Sequence, residues 1–216
     1  NSGAIEADGG EELAIFADLQ RRAPALPIDA IGAFLDGMES DLAGPVMESD
    51  ADLDLYCYQV AGTVGRLMAA LLGVRVGDDV QADHAARALG AAMQRTNILR
   101  DIDEDLANGR VYLPATALRR VGLDPAAASG PTSLRDGDRR ALYLAEIARA
   151  DADYETGAAG IRYLHNGGRS IRVAAHLYRE ILRQIERDGF GVRRPHRPVV
   201  GRARKAVLLV RAVASS

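Results

Sequence analysis

Apolar residues along this chain recur every three or four positions, which is the spacing of helices. No segment shows the sustained alternation of apolar and polar residues that is typical of a half-buried strand. Glycine, proline and short polar clusters separate the periodic segments. The sequence therefore predicts an all-α protein. We expect helices over residues 11–22, 28–42, 115–121, 139–164 and 170–188, one that is capped by Asp52 or Asp54 and runs to Gly73, and a central helix that Asp83 caps and Asn108–Gly109 ends.

The second predicted helix carries an apolar stripe at core spacing. We expect this stripe to face the interior, and it comprises Ile31, Phe34, Leu35, Met38 and Leu42. Asp41 lies beside the stripe, in the segment GMESDL. It is either a functional acid or a structural hydrogen-bonding group, and the second interpretation is preferred.

Composition limits the classes of protein to which the chain can belong. At 216 residues and 48% hydrophobic content, it suits one compact domain. Its net charge of −3 gives no electrostatic reason to expect nucleic acid as a partner, although a basic cluster lies near the C-terminus. This cluster is either a solvated tail or a phosphate-facing surface, and it comprises Arg193, Arg194, Arg197, Arg202, Arg204 and Lys205.

Cysteine content and hydropathy bear on location. Cys57 is the only cysteine, so no disulfide framework can form and we expect a reducing, cytoplasmic compartment. It lies between two tyrosines in an apolar helix, where we expect it to fill the core. The sequence contains no run of about 18 apolar residues that could span a bilayer, and peripheral contact with a membrane stays open. Nothing in the sequence indicates the oligomeric state.

The stretch from Gln94 to Pro114 contains the strongest chemical signal. At about 100° per residue, one narrow helix face collects four polar side chains, namely Gln94, Asn97, Asp101 and Asp105. The apolar residues between them indicate that this helix is largely packed. Two amides and two carboxylates are therefore expected in line on a partly buried face.

Carboxylates on such a face need a counter-charge. Two like charges one helical turn apart raise each other's pKa unless a cation lies between them. Mg²⁺ prefers oxygen ligands and commonly shares them with phosphate groups, so the stripe predicts a magnesium and diphosphate platform. Arg100 and Arg110 could take up diphosphate charge in a bidentate manner. The alternative is a solvated acidic face at the helix end, since Asp103 and Glu104 extend the run of charge.

A second pattern lies in the segment YCYQVAGTVG at residues 56–65. Small residues recur every four positions at Ala61, Gly65 and Ala69, which leaves a groove with little side-chain volume. Either another helix packs closely there or a long apolar chain lies in the groove, and the pattern alone does not decide. Tyr56 differs from its neighbours because a phenol on a packed helix needs a hydrogen-bond partner.

Two segments, TNILRDIDEDLANGRVYLP and YCYQVAGTVG, resemble the squalene/phytoene synthase family, whose members join two prenyl diphosphates head to head. The resemblance extends from about Ile28 to Ala212. It leans toward the bacterial presqualene diphosphate and hopanoid-pathway enzymes, with phytoene synthases close. It implies an isoprenoid-synthase-type helical bundle around a central cavity, formed by a single prenyl synthase domain over residues 1–216.

The resemblance also implies roles for individual residues of the stripe. The segment from Asn97 to Asp105 matches the second aspartate-rich motif of the family. By this match Asn97, Asp101 and Asp105 bind Mg²⁺ and diphosphate. Arg100 lies beside them.

Further roles follow from other segments. Tyr56 takes the position of the family's active-site tyrosine. Tyr178, in LYREIL, takes that of a tyrosine facing the cavity, unless it is a core residue. Arg197 is the expected phosphate-reaching arginine of the basic cluster, and Tyr112 is a weaker candidate. We expect catalytic roles for Tyr56, Arg100 and Tyr178, and substrate contacts from Gln94, Arg100, Arg110, Arg197, Ala61 and Gly65.

The reaction implied by the resemblance is Mg²⁺-dependent transfer through a cyclopropylcarbinyl diphosphate. The substrate would be farnesyl or geranylgeranyl diphosphate, and the product presqualene diphosphate, squalene, hydroxysqualene or phytoene. NADPH is not expected, although it is not excluded. Two alternatives stay open, a non-catalytic relative that acts as an assembly or interaction protein and a plain helical interaction module.

The family's first aspartate-rich motif is missing from the sequence. Glu6 and Asp8 have the wrong spacing, and Glu11 and Glu12 begin a helix at a place where the family is already past that motif. We therefore expect the motif and the N-terminal helices to lie upstream of Asn1, so that this chain is part of a longer enzyme.

Overall fold

The computed structural model describes residues 9–44, 46–125, 136–191 and 197–207. No strand forms within these residues, and an isolated bridge joins Val74 to Leu164. The helices are α1 (Gly9–Arg22), α2 (Ile28–Ala43), α3 (Asp50–Cys57), a π-helix (Tyr58–Gly62), α4 (Thr63–Leu72), α5 (Asp79–Ala107), α6 (Ala115–Arg120), α7 (Asp136–Gly160), a 3₁₀ turn (Ile161–Tyr163) and α8 (Gly168–Arg187). The prediction of an all-α protein is confirmed.

The longest helix, α5, lies at the centre and packs against α4, α7 and α8. Glycines allow the closest approaches. A β-carbon added at Gly90 would lie 2.2 Å from the carbonyl oxygen of Ala61, and one added at Gly65 would lie 2.2 Å from that of Ala86. Since both distances are shorter than any real contact, the π-helix and α4 can pack on α5 only because these positions lack side chains. The helix-packing interpretation of the small-residue groove is therefore correct for part of its length.

The caps of two helices differ from the prediction. Ser49 caps α3, where its hydroxyl accepts a hydrogen bond from the backbone N–H of Asp52 at 3.3 Å and Asp52 Oδ2 accepts one from the Ser49 N–H at 2.7 Å. This reciprocal pair is a capping box, so Asp52 is its third helical residue and not the cap. Asp54 is one turn into the helix, where it pairs with Arg95 and Arg149.

The central helix begins at Asp79, four residues before the predicted cap at Asp83. Asp83 accepts hydrogen bonds from Arg66 Nε and Arg87 Nε, each at 2.6 Å, so its carboxylate neutralises guanidinium groups instead of the helix start. The predicted end is confirmed. Helix α5 stops at Ala107, and Gly109 has φ +73°, a conformation that favours glycine.

The predicted apolar stripe of α2 is a core face only in part, because Ile31, Phe34 and Met38 are partly buried. Leu35 is 61% exposed and Leu42 is 86% exposed, whereas Ala30 and Gly37 are buried. The reason is steric, because a β-carbon at Gly37 would lie 2.7 Å from Gln59 Cβ in the π-helix. Helix α2 thus makes its closest contact through its smallest residues and turns Leu35 and Leu42 outward.

The core lies between α3, α5, α6, α7 and α8. Cys57 is completely buried in it, as expected of a residue that fills the core. Burial raises the pKa of its thiol well above the ordinary value. Leu99, Leu118 and Leu182 are among the most completely buried side chains.

None of the described helices is both long and apolar enough to cross a membrane.

Gly90→Ala tests the close packing of the π-helix on α5. The added methyl group must displace the Ala61 carbonyl, and we expect the free energy of unfolding to fall by about 1–3 kcal/mol. Gly32→Ala is the matched control, because no atom lies within 4 Å of a β-carbon at Gly32, and it should be neutral or stabilise by up to about 1 kcal/mol. Urea denaturation followed by circular dichroism measures both, and equal effects would contradict the packing argument.

Candidate active site

The stripe of amides and acids lies on one side of α5 and is partly buried throughout. Asn97 Nδ2 donates a hydrogen bond to Gln94 Oε1 at 3.2 Å. Asn97 Oδ1 is buried and has no hydrogen-bond partner. An unsatisfied buried carbonyl is costly, and in a native protein it calls for an explanation such as an ion. Asn97 is therefore an open acceptor in the middle of the stripe.

Asp101 lies between two guanidinium groups. Arg100 Nε contacts Asp101 Oδ1 at 2.8 Å, and Arg197 Nε contacts the same oxygen at 2.8 Å from the C-terminal segment. The carboxylate side chain is only 18% exposed. This is not the arrangement of a solvated acidic face, and it brings three of the predicted site residues together.

Asp105 has a carboxyl group with a perturbed affinity for protons. Its pKa is raised from the ordinary 3.8 to about 6, mainly by burial and then by the charges of Asp101 and Glu104. Arg110 acts in the opposite direction but does not compensate. The mutual repulsion that the sequence predicts for this stripe is thus present, and a cation at this position would relieve it.

The other two acids of the motif lie outside the stripe. Asp103 pairs with Arg139 of α7, whose side chain is almost completely buried. Glu104 is exposed. The acidic run therefore divides into a structural pair member, a solvated residue and the two carboxylates of the stripe.

Asp41 joins two tyrosines at the edge of the site. Its Oδ1 accepts hydrogen bonds from the hydroxyl groups of Tyr56 at 2.7 Å and Tyr112 at 2.8 Å. The two rings stack with their centroids 5.3 Å apart. Arg110 Nη1 donates to the Tyr112 hydroxyl at 3.2 Å and lies 3.5 Å from Asp41 Oδ2.

This arrangement identifies the partner that Tyr56 needs. Burial and the negative charge of Asp41 raise the pKa of Tyr56 far above its ordinary value, so the phenol stays protonated. The preferred interpretation of Asp41 as a hydrogen-bonding group agrees with these contacts. Sequence reasoning did not anticipate that Asp41 and Tyr112 meet. The only signal was the presence of an acid and a phenol near motifs that already pointed to one site.

Tyr178 lies beside Arg100. Asp101 has the largest effect in raising the pKa of the Arg100 guanidinium, and Tyr178 adds a smaller effect in the same direction. It is half-buried and borders a cleft together with Arg100, Arg197 and Lys205. The structure thus places Tyr178 in a cleft next to the stripe that contains three cationic side chains, and not in the apolar cavity described below. The alternative of a fully enclosed core tyrosine is not observed.

An apolar cavity of about 350 Å³ lies along the same side of α5. Gln94 and Asn97 are at one end of it, and Ala61 and Gly65 lie in its wall, as the ligand-channel interpretation of the groove requires. Helix packing and a cavity therefore coexist at this groove. The rest of the lining comprises Val60, Val64, Met68, Ala69, Leu72, Ala82, Ala85, Ala86, Leu89, Gly90, Met93, Gly157, Gly160, Ile161, Leu164 and Ile171.

The remaining charged candidates are not part of the site that the structure describes. Arg204 pairs with Glu180 on α8, so the basic cluster is not a single phosphate-facing surface. Arg193 and Arg194, like Glu6 and Asp8, lie outside the described residues. Within the described ranges, no group of three or more His, Cys, Asp or Glu side chains could hold a metal ion by itself.

Comparison with known proteins gives this arrangement a context. The sequence profile of the family described as squalene/phytoene synthase matches residues 4–204. The chain belongs to the squalene/phytoene synthase family. Phytoene synthase of Thermus thermophilus is 41% identical over 170 residues, which cover 76% of this chain and 55% of the relative. Presqualene diphosphate synthase of Rhodopseudomonas palustris is 35% identical over 187 residues, which cover 82% of this chain and 62% of the relative.

Solved structures support the same family fold. A dehydrosqualene synthase in complex with a ligand superposes with a TM-score of 0.73 at 27% identity, over 88% of this chain and 65% of that one. Squalene synthase HpnC from Alicyclobacillus acidocaldarius gives a TM-score of 0.66 at 28% identity, over 76% and 61%. The predicted isoprenoid-synthase-type bundle is confirmed. The chain spans less than two thirds of the length of these members of the squalene/phytoene synthase family.

Asp105→Asn tests the electrostatics of the stripe in metal-free protein. Because the pKa of Asp105 is raised on folding, the folded state binds its proton more tightly than the unfolded state does. Ionised Asp105 therefore destabilises the fold above about pH 6, and this penalty disappears as the pH falls toward 4. We expect the substitution to raise the free energy of unfolding by about 1–2 kcal/mol at pH 7, allowing for solvent screening, and to change little at pH 4.

The measurement is urea denaturation in a chelating buffer between pH 4 and pH 7. Asp103→Asn on the same helix is the control of opposite sign, because it leaves buried Arg139 without its carboxylate and should destabilise at neutral pH. A destabilising effect of Asp105→Asn at pH 7 would show that its charge is already compensated.

Proposed function

We propose that the protein is a Mg²⁺-dependent prenyltransferase that joins two prenyl diphosphates head to head through a cyclopropylcarbinyl diphosphate. The observation that carries this proposal is the junction of two unlike surfaces on α5. A stripe of amides, carboxylates and guanidinium groups around Asp101 continues directly into an apolar cavity at Asn97. Such a junction suits a ligand with a charged head and a long hydrocarbon tail.

The donor atoms of the stripe fit a magnesium ion. Asn97 offers a buried oxygen without a partner, and a nearby cation would stabilise the negative charge of Asp105. Amide and carboxylate oxygens are the ligands that Mg²⁺ takes, usually together with water and phosphate. Asn97, Asp101 and Asp105 would hold the ion, which would supply charge neutralisation for a departing diphosphate.

The arginines give the site a second way to stabilise negative charge. In the structure Arg100 and Arg197 both pair with Asp101 and are partly exposed on the side of the cleft. Guanidinium groups form bidentate hydrogen bonds with phosphate oxygens as readily as with carboxylates. We propose that both arginines turn to the diphosphate when it binds, and that Tyr178 contributes its hydroxyl in the same cleft.

The tyrosine pair is placed to act near the leaving group. Asp41 holds the phenols of Tyr56 and Tyr112 in fixed orientations, with Arg110 beside them. We propose that Tyr56 holds the released diphosphate close to the carbocation or assists the proton transfer that follows. Gln94 would contact substrate at the cavity end, and the apolar wall that includes Ala61 and Gly65 would exclude water from the cation.

The relatives reduce the number of products to consider for the intermediate, but the site itself does not distinguish among them. The relatives that match include both a phytoene synthase and a presqualene diphosphate synthase. Phytoene or presqualene diphosphate is accordingly the proposed product, formed without NADPH. A cytoplasmic location and peripheral membrane contact stay predictions. No observation favours the non-catalytic alternative, because the acids that such a relative would have lost are present.

The decisive assay is release of diphosphate from farnesyl and geranylgeranyl diphosphate by the full-length protein. We expect release to require Mg²⁺ and to fall by at least about a hundredfold in Asp101→Ala, because the variant loses both a metal ligand and the partner of two arginines. Product analysis by mass spectrometry would identify the coupled hydrocarbon.

Asp79→Asn is the matched control, since Asp79 is an exposed acid in the first turn of the same helix, far from the stripe. Its activity should equal that of the wild type. Full activity of Asp101→Ala, or release that is unaffected by a chelator, would refute the assignment of the site.

A further inference from the structure

The last described segment of the chain, residues 197–207, is joined to two helices by ion pairs, and we call it the C-terminal strap. Arg197 pairs with Asp101 of α5, and Arg204 pairs with Glu180 of α8. Each of these carboxylates also pairs with an arginine of its own helix. The strap is therefore fastened to the helices at two points by the same kind of contact.

The ion pair at Asp101 uses every acceptor position of that carboxylate. Arg100 donates from Nε to Oδ1 at 2.8 Å and from Nη2 to Oδ2 at 2.5 Å. Arg197 places its Nε 2.8 Å from Oδ1 and donates from Nη2 to Oδ2 at 3.1 Å. Since a carboxylate has about four lone-pair positions, a cation that binds Asp101 must displace a guanidinium group.

Arg197 is the guanidinium group that leaves more easily. Its side chain is 52% exposed, so water can replace the carboxylate around it, and an exposed ion pair adds little to stability. The side chain of Arg100 is only 16% exposed and belongs to the residue next to Asp101 on the same helix. A cation on Asp101 therefore releases Arg197 and leaves Arg100 in place.

The rest of the strap has its own attachment. Glu180 is buried and accepts hydrogen bonds from Arg204 Nε at 2.9 Å and Nη2 at 3.3 Å. Val200 is buried as well. Three residues of extended chain span at most about 11 Å, so Arg197 stays close to the stripe after its release, while Val200 keeps its position.

We propose that Arg197 and a divalent cation compete for Asp101, and that the C-terminal strap thereby makes binding of the cation depend on a diphosphate. The inference rests on the proposed function, since it concerns the same stripe. A cation alone breaks the ion pair of Arg197 without replacing it. A diphosphate on the stripe gives the released guanidinium group a new anionic partner, so this loss disappears. Because such coupling is reciprocal, the cation and the diphosphate each raise the affinity of the protein for the other.

The test measures binding of Mg²⁺ alone, and of inorganic diphosphate with Mg²⁺, to the full-length protein by calorimetry. Arg197→Gln removes the competing charge. We expect this variant to bind Mg²⁺ alone at least about fivefold more tightly than the wild type, and diphosphate at least about fivefold more weakly. Changes of opposite sign distinguish competition from a merely structural role, because general damage to the site would weaken both.

Arg202→Gln is the matched control, because Arg202 is an exposed arginine of the same strap that pairs with no described residue. Its two affinities should equal those of the wild type. Unchanged or weaker binding of Mg²⁺ by folded Arg197→Gln protein, or no measurable binding to it, would overturn the proposal.

A spin label reports the release of the strap without a change at either ion pair. Val199 is 67% exposed and lies two residues from Arg197, whereas Val207 is 44% exposed and lies beyond Arg204. Labels are attached to Val199→Cys or to Val207→Cys, since Cys57 is completely buried. We expect saturating Mg²⁺ to increase the mobility of the label at residue 199 only. An equal change at both positions, or none at residue 199, would contradict release at a single point.

The binding and turnover results separate the two proposals. Opposite changes in the affinities for Mg²⁺ and diphosphate, without turnover of any prenyl diphosphate, would refute the proposed function and leave the strap inference standing. Turnover together with an unchanged affinity of Arg197→Gln for Mg²⁺ would refute the strap inference alone.

Discussion

The arrangement of charge around Asp101 is the constraint on which the site depends. Helix α5 is packed on several sides, yet it presents two carboxylates one turn apart on a partly buried face. The two carboxylates differ in how far neighbouring positive charge compensates them. Asp101 is neutralised by Arg100 and Arg197, whereas Asp105 retains a raised pKa. The negative charge of Asp105 is thus left partly uncompensated, and this is the feature on which the proposed cation site rests.

The same helix is also the wall of the cavity, and this second role depends on small residues. Gly90 allows the π-helix to approach, and a β-carbon at Gly157 of α7 would lie 2.6 Å from Leu89 Cβ. Close packing on both flanks leaves the face between them uncovered, and the cavity occupies that face. The acidic stripe and the apolar cavity therefore rest on one helix. Rigid support of this kind keeps reacting groups in register.

Local patterns in the sequence predicted the helices and the stripe because helical periodicity and side-chain chemistry are properties of neighbouring residues. They did not predict contacts between distant segments. Asp41 and Tyr112 are 71 positions apart, and their hydrogen bond follows from how α2 meets the segment before α6. The predicted burial of Leu35 and Leu42 in α2 is wrong for a similar reason. Periodicity identifies an apolar stripe, but Gly37 and its partner Gln59 decide which face is buried.

The π-helix at Tyr58–Gly62 has a consequence for how the sequence of this region can change. A π turn accommodates one residue more than an α turn does, so it acts as an insertion that the helix has absorbed. Removal of one residue there would restore α geometry and rotate everything on its N-terminal side by about 100° relative to α4. Tyr56 would then turn away from Asp41, although no site residue had been replaced. Length in this segment is therefore as strictly specified as the identity of any side chain in it.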